Sequence, residues 1–127
     1  MTAPTFLASS LYVALGGGLG AWLRFVAGRL VPGSAFPWAT LTVNLLGSFA
    51  MGLLAAWLAR GAASESLRLL LGVGVLGGFT TFSAFSLEIV TLAERGALAA
   101  AGLYVLASLV GGVFGLLAGL GLMRGIA

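Results

Sequence analysis

Cysteine, histidine and lysine are all missing from this chain, and its only acidic residues are three glutamates. Without cysteine or histidine there is no disulfide, no thiolate nucleophile, no zinc site built on those ligands and no imidazole acid or base. No plausible pair of nucleophile and base is left, so the sequence argues against an enzyme. The missing lysine and the lack of any basic cluster argue against nucleic acid as a partner. A sequence pI near 10.7 does not change this, because it reflects a net excess of three positive charges on a charge-poor chain.

Apolar side chains are what the chain has in quantity. Of 127 residues, 61% are hydrophobic and 7% charged, and the mean hydropathy is +1.18. An ordinary soluble domain carries about 25% charged residues. Six arginines and three glutamates could not keep so much leucine, valine and alanine dispersed in water. Lipid is the solvent this composition suits.

Four apolar stretches, marked off by Arg, Pro, Ser and Gly, cover about 6–31, 37–58, 67–92 and 97–123. A helix needs about 20 residues to cross roughly 30 Å of hydrocarbon, so each stretch is long enough. The connections are short: Val31 to Phe36 carries Pro32 and Gly33, Arg60 to Ser66 is small and polar, and Glu94-Arg95-Gly96 is a turn. With no linker in between, residues 1–127 are expected to form a single all-α membrane domain. No positive residue precedes the first apolar run, and Gly16-Gly17-Gly18 lies inside a stretch that continues as a span. That run is therefore expected to stay on the protein instead of being removed as a signal peptide.

Arginine placement gives no single orientation. With four spans, Arg60, Arg68 and Arg124 lie on one side and Arg24, Arg29 and Arg95 on the other. Orientation follows the excess of Arg and Lys near span ends, and here the two sides balance. Either an arginine at a span edge is misplaced and a weak bias exists, or the chain inserts both ways. Two oppositely inserted copies could then pair about a two-fold axis lying in the membrane plane.

The 21 glycines recur at helical spacing: Gly16 and Gly20 with Arg24 on the first span, Gly74 and Gly78 on the third, Gly111, Gly115 and Gly119 on the fourth. Small residues four apart let helix backbones approach closely, which is the main attraction available between helices in lipid. Polar residues make similar stripes, with Thr40, Asn44 and Ser48 on the second span and Tyr104 and Ser108 on the fourth. Such stripes act either as interhelical hydrogen-bond glue, worth about 0.6 kcal/mol per pair, or as a functional surface. Ser48 suits the first role, and for Asn44 both remain open.

In the third span the run Leu76-Gly77-Gly78-Phe79-Thr80-Thr81-Phe82-Ser83-Ala84-Phe85-Ser86 places paired Gly and paired Thr inside a membrane helix. Each Gly costs about 1 kcal/mol against Ala, so unwinding is expected near Gly77 to Thr80. Irregular backbone at that depth survives only inside protein or beside an ion or water-filled cavity, and the freed carbonyls would suit a cation. Phe82 and Phe85 share a face, where their rings either pack or offer positive ring edges to an anion.

Three of these segments, taken together, resemble the fluoride channels of the CrcB/Fluc family. They are Gly17-Gly18-Leu19-Gly20-Ala21-Trp22-Leu23-Arg24, Thr40-Leu41-Thr42-Val43-Asn44-Leu45-Leu46-Gly47-Ser48-Phe49 and Gly77-Gly78-Phe79-Thr80-Thr81-Phe82-Ser83-Ala84-Phe85. Each motif alone is weak, but their order in a chain of this length makes the resemblance specific, and it covers nearly the whole sequence. It implies an all-α integral membrane protein with a broken third helix, working as an antiparallel, dual-topology homodimer with two parallel fluoride pathways. A structural sodium ion at the dimer axis is implied too, held by the backbone carbonyls of Gly77 and Thr80. The pathway residues it implies are Thr40, Asn44, Phe82, Ser83, Phe85, Glu88, Tyr104 and Ser108, with Arg24 as a vestibule arginine. Its implied task is export of fluoride across the inner, cytoplasmic membrane from a multi-pass position, lowering the cytoplasmic concentration. Its partners are then fluoride, a second copy and the bilayer. Two positions depart from the pattern: Ala39 stands where Gly is common, and Ala84 replaces a Thr whose hydroxyl would add a hydrogen bond.

The alternatives fit less well. A small dual-topology multidrug or cation transporter wants a carboxylate deep in an early span, and no acidic residue precedes Glu65. A purely structural subunit would explain the glycine strips but has no use for a Thr-Thr-Phe-Ser-x-Phe run after a Gly-Gly pair.

Overall fold

A computed structural model describes residues 2–61 and 63–126. Among them, four helices are long and apolar enough to cross a membrane: Phe6–Leu30, Trp38–Ala59, Glu65–Glu94 and Leu98–Gly125. Local chemistry sets their ends. Thr5 caps the first helix, its hydroxyl accepting from the Ala8 N–H at 3.2 Å, and extended Val31 ends it ahead of Pro32 and Gly33. The second helix follows Pro37 and stops at Arg60, before Gly61 at φ 74°, a left-handed backbone that glycine adopts without strain. Ser64 caps the third span through the Leu67 N–H, and Gly96 at φ 78° closes it in the same way as Gly61. The fourth helix has a borrowed cap, because the Arg60 guanidinium donates to the Met123 and Ile126 carbonyls at its end.

The third span is irregular. A first turn, Glu65–Leu67, leads into a π-helical stretch, Arg68–Leu76, in which the Gly77 N–H reaches back to the Gly72 carbonyl. A last turn, Gly77–Phe79, ends at Thr80 with φ −87° and ψ 159°, and helix begins again at Ser83 and runs to Glu94.

Glycine explains how the first helix meets residues 65–79. A Cβ on Gly16 would overlap the Leu70 carbonyl, one on Gly20 the Val75 carbonyl, and one on Gly78 the Gly17 carbonyl. Backbone therefore lies against backbone along this seam. The second and fourth helices join likewise at Gly52 against the Leu116 carbonyl and Gly119 against the Phe49 carbonyl. Side-chain packing is concentrated elsewhere, in a buried cluster of Leu41, Phe85, Leu92, Ala101 and Tyr104 with Phe36 and Ile89 against it. Outward-facing Leu15, Phe25, Leu103, Phe114 and Leu117 are exposed, which is ordinary for side chains that meet lipid.

Candidate functional site

The second helix, the irregular part of the third span and the fourth helix line an open-sided cavity of about 340 Å³. Asn44, Ser48, Gly77, Thr80, Phe82, Phe85 and Ser108 all line it. Helical spacing brings Asn44 and Ser48 there together, while Gly47, one turn from Asn44, lets the two elements approach. A Cβ at Gly47 would overlap the Thr80 methyl. Among the described residues, no charged side chain lines the cavity. Ser108 Oγ is buried on its wall with no hydrogen-bond partner among the described residues, and an unsatisfied hydroxyl in such a place costs stability unless something visits it.

Backbone pairing around residues 77–82 is redistributed. The helical pattern persists as far as the Thr80 N–H, which donates to the Leu76 carbonyl at 3.1 Å. The next amide, Thr81 N–H, donates to Asn44 Oδ1 at 2.8 Å, and Asn44 Nδ2 donates to the Thr81 carbonyl at 2.9 Å. Arg24 Nε donates to the Gly78 carbonyl at 3.2 Å, and the Thr81 hydroxyl accepts from the Ala84 N–H at 3.1 Å. After this exchange the Gly77 and Thr80 carbonyls accept no hydrogen bond among the described residues. Two unpaired carbonyls at one interruption, on residues that both line the cavity, fit a hard cation that prefers oxygen ligands.

Further along the third span, toward Arg95, lies a second polar group. The Tyr104 hydroxyl donates to Glu88 Oε1 over 3.5 Å, and Thr40 is its other polar neighbour. Tyr104 is wholly buried, and its ring meets Phe85 edge-on with centroids 5.0 Å apart. Phe85 in turn lies 5.9 Å from Phe82, the two rings tilted. Phe85 thus joins the cavity to the Tyr104 group. Glu88 also borders an outer pocket of about 240 Å³ with Ser34, Thr91 and Arg95, where Arg95 Nη2 donates to the Ala35 carbonyl at 2.9 Å. Contacts thus run from the cavity, lined by Asn44, Ser108, Phe82 and Phe85, through Phe85 to Tyr104 with Thr40 and Glu88, and from Glu88 to the outer pocket with Ser34 and Arg95.

Five residues selected from the sequence lie off the cavity wall: Thr40, Glu88 and Tyr104, which form the second polar group, and Ser83 and Arg24, which belong to neither group. Ser83 is exposed, its hydroxyl 3.4 Å from that of Thr81, and Arg24 sits on the first helix with its Nε on Gly78. Phe82 is 78% exposed whereas Phe85 is 7% exposed, so only the second ring is fixed by packing within one chain. Sequence reasoning missed Thr81 and Arg95. Nothing in the spacing marks a residue whose backbone does the work, as at Thr81, and Arg95 was visible only as a charge at a span end.

Comparison with known proteins gives a consistent picture. The family described as CrcB-like protein, Camphor Resistance (CrcB), matches residues 11–120. A protein of Novosphingobium aromaticivorans named fluoride-specific ion channel FluC is 56% identical, the alignment covering 95% of this chain and all of that one. Proteins of the same name from a Chelativorans species and from Rhodospirillum centenum are each 55% identical. Those two alignments cover 91% and 90% of this chain and 96% and 94% of theirs. By its match over residues 11–120 and by these relatives, the chain, a multi-pass membrane protein, belongs to the CrcB family.

Proposed function

We propose that this chain is a fluoride-selective channel of the bacterial cell membrane, working as an antiparallel pair of oppositely inserted copies. The observation that carries the reading is the uncharged cavity at the irregular part of the third span, where Asn44, Phe82, Phe85 and Ser108 converge. Fluoride is small and tightly hydrated, so a path must replace its water with donors that hold it weakly enough to let it leave. Among the described residues the Ser108 hydroxyl has no partner, and the second Nδ2 hydrogen of Asn44 remains after the bond to Thr81. Phe82 and Phe85 offer positive ring edges in sequence. The N-terminus of Ser83–Glu94 opens beside them and adds the positive end of a helix dipole. Beyond Phe85, Glu88, held by the Tyr104 hydroxyl, borders the outer pocket, where Arg95 supplies a positive charge.

The third span is read here as a discontinuous helix, and the Gly77 and Thr80 carbonyls as ligands for a sodium ion shared with a second copy at the axis. Bound there, sodium would supply a fixed positive charge that lowers the electrostatic cost of an anion nearby. Insertion in both orientations is supported by the balance of arginine between the two ends of the spans. A cation transporter is disfavoured, since among the described residues the cavity wall carries no carboxylate and Glu88 is engaged with Tyr104. The test is efflux from liposomes loaded with fluoride or with chloride. Fast fluoride efflux with chloride retained is expected, and equal efflux of both, or of neither, rejects the reading.

A further inference from the structure

Asn44 makes two hydrogen bonds to a single residue, accepting from its N–H and donating to its carbonyl. This is the pattern by which one backbone pairs with another, here performed by a carboxamide on a neighbouring helix. In an uninterrupted α-helix the Thr81 N–H would donate to the Gly77 carbonyl, four residues back. Asn44 occupies that donor, and the Gly77 carbonyl is left without one among the described residues.

We propose that Asn44 is a positioning residue that holds the third span open: by taking the Thr81 N–H it keeps the Gly77 carbonyl free to face the cavity and bind a cation. Gly47 is part of the same device. Its missing side chain admits Thr80 against the second helix and so brings Asn44 within reach of Thr81. The Arg24 bond to Gly78 works in the same sense from the first helix, occupying a carbonyl that would otherwise await the Phe82 N–H. An anion contact would use the second Nδ2 hydrogen, whereas the Gly77 carbonyl is kept free by Oδ1 accepting from the Thr81 N–H, so Asn44→Asp, which keeps an acceptor and loses the donors, separates the two roles. This inference rests on the cation reading of Gly77 and Thr80 given above, and not on fluoride being the permeant ion.

The test is the stabilisation of purified full-length protein by sodium, read as the rise in melting temperature when sodium chloride replaces N-methyl-D-glucamine chloride at constant ionic strength. Wild type is expected to be stabilised. In Asn44→Leu the Thr81 N–H is free to close on Gly77, so the sodium concentration giving half the rise should increase by at least about tenfold, a loss of about 1.4 kcal/mol. Thr81→Pro, added to Asn44→Leu, removes that N–H, and Thr80 is already extended as the residue before a proline must be. The double variant should therefore recover the sodium response, which no general loss of packing could produce. Asn44→Asp keeps the acceptor for Thr81 and should keep the response, and it carries the test if Asn44→Leu does not fold. A wild-type response in Asn44→Leu overturns the proposal, as does its loss in Asn44→Asp or the failure of Thr81→Pro to restore it. A wild type indifferent to sodium would reject the cation reading and this inference with it, while leaving fluoride efflux to be judged separately.

Discussion

The first and second helices both press on the third span, and they do so by opposite means. Along the first helix, Gly16 and Gly20 meet Leu70, Gly74 and Val75 with no side chain between them. Along the second, Gly47 meets the Thr80 methyl and Asn44 pairs with the Thr81 backbone, beside a cavity of about 340 Å³ that Ser48 also lines. Both seams are built from small residues at helical spacing. Glycine on both sides closes the gap, whereas a polar side chain opposite irregular backbone holds it open and leaves unpaired carbonyls beside it. Packing strength belongs to the first seam and chemistry to the second.

That contrast breaks most severely at Gly20. A methyl in Gly20→Ala would strike the Val75 carbonyl and the Phe79 amide, which are backbone and cannot turn aside. Its cost should be about 3 kcal/mol, the upper part of the usual range for overpacking, seen as loss of folded protein on detergent-solubilised unfolding. Gly47→Ala overlaps the Thr80 methyl and otherwise makes ordinary contact with side-chain atoms of Phe79 and Thr80, and the Thr80 side chain can rotate at the expense of its hydroxyl bond to the Leu76 carbonyl. The same measurement should give about 1 kcal/mol there, the usual net worth of one hydrogen bond. Equal costs at the two glycines would erase the distinction between the seams.

Smaller changes sharpen it. Ser108→Ala removes a buried hydroxyl that has no partner among the described residues, so the protein should become more stable by up to about 1 kcal/mol while fluoride efflux falls roughly threefold. A fall in stability would mean that the hydroxyl has a structural partner. Gly18→Ala lies on the same helix as Gly20 but faces open space, so it should be neutral or stabilising by up to about 1 kcal/mol through helix propensity. Clear destabilisation at Gly18 would mean that this face of the first helix is covered.

Much of this was legible because helical spacing decides which residues share a face. Thr40, Asn44 and Ser48 lie along one side of the second helix, and Asn44 and Ser48 both reach the cavity. Pro32 and Gly96 marked helix ends through their backbone preferences. Spacing says nothing about which helix a face meets. The engagement of Asn44 with the Thr81 backbone, of Arg24 with Gly78 and of Arg60 with the end of the fourth helix are all long-range pairings between a side chain and main chain. They follow from tertiary position and leave no trace in periodicity. The π-helical winding of Arg68–Leu76 was equally hidden, since Gly72 and Gly74 permit close contact without dictating a wider turn.

The central claim is that ring edges along the second seam carry an ion instead of merely filling space, and Phe82 and Phe85 decide it. Fluoride efflux should be measured from liposomes holding wild type, Phe82→Ile or Phe85→Ile, with each protein also run on size exclusion. Apolar exchanges of similar size usually cost under about 1.5 kcal/mol, so each variant should elute like the wild type. The account predicts that fluoride efflux nonetheless falls at least about tenfold in both, because an isoleucine has no positive ring edge to offer an anion. Near-normal efflux in both variants would contradict it.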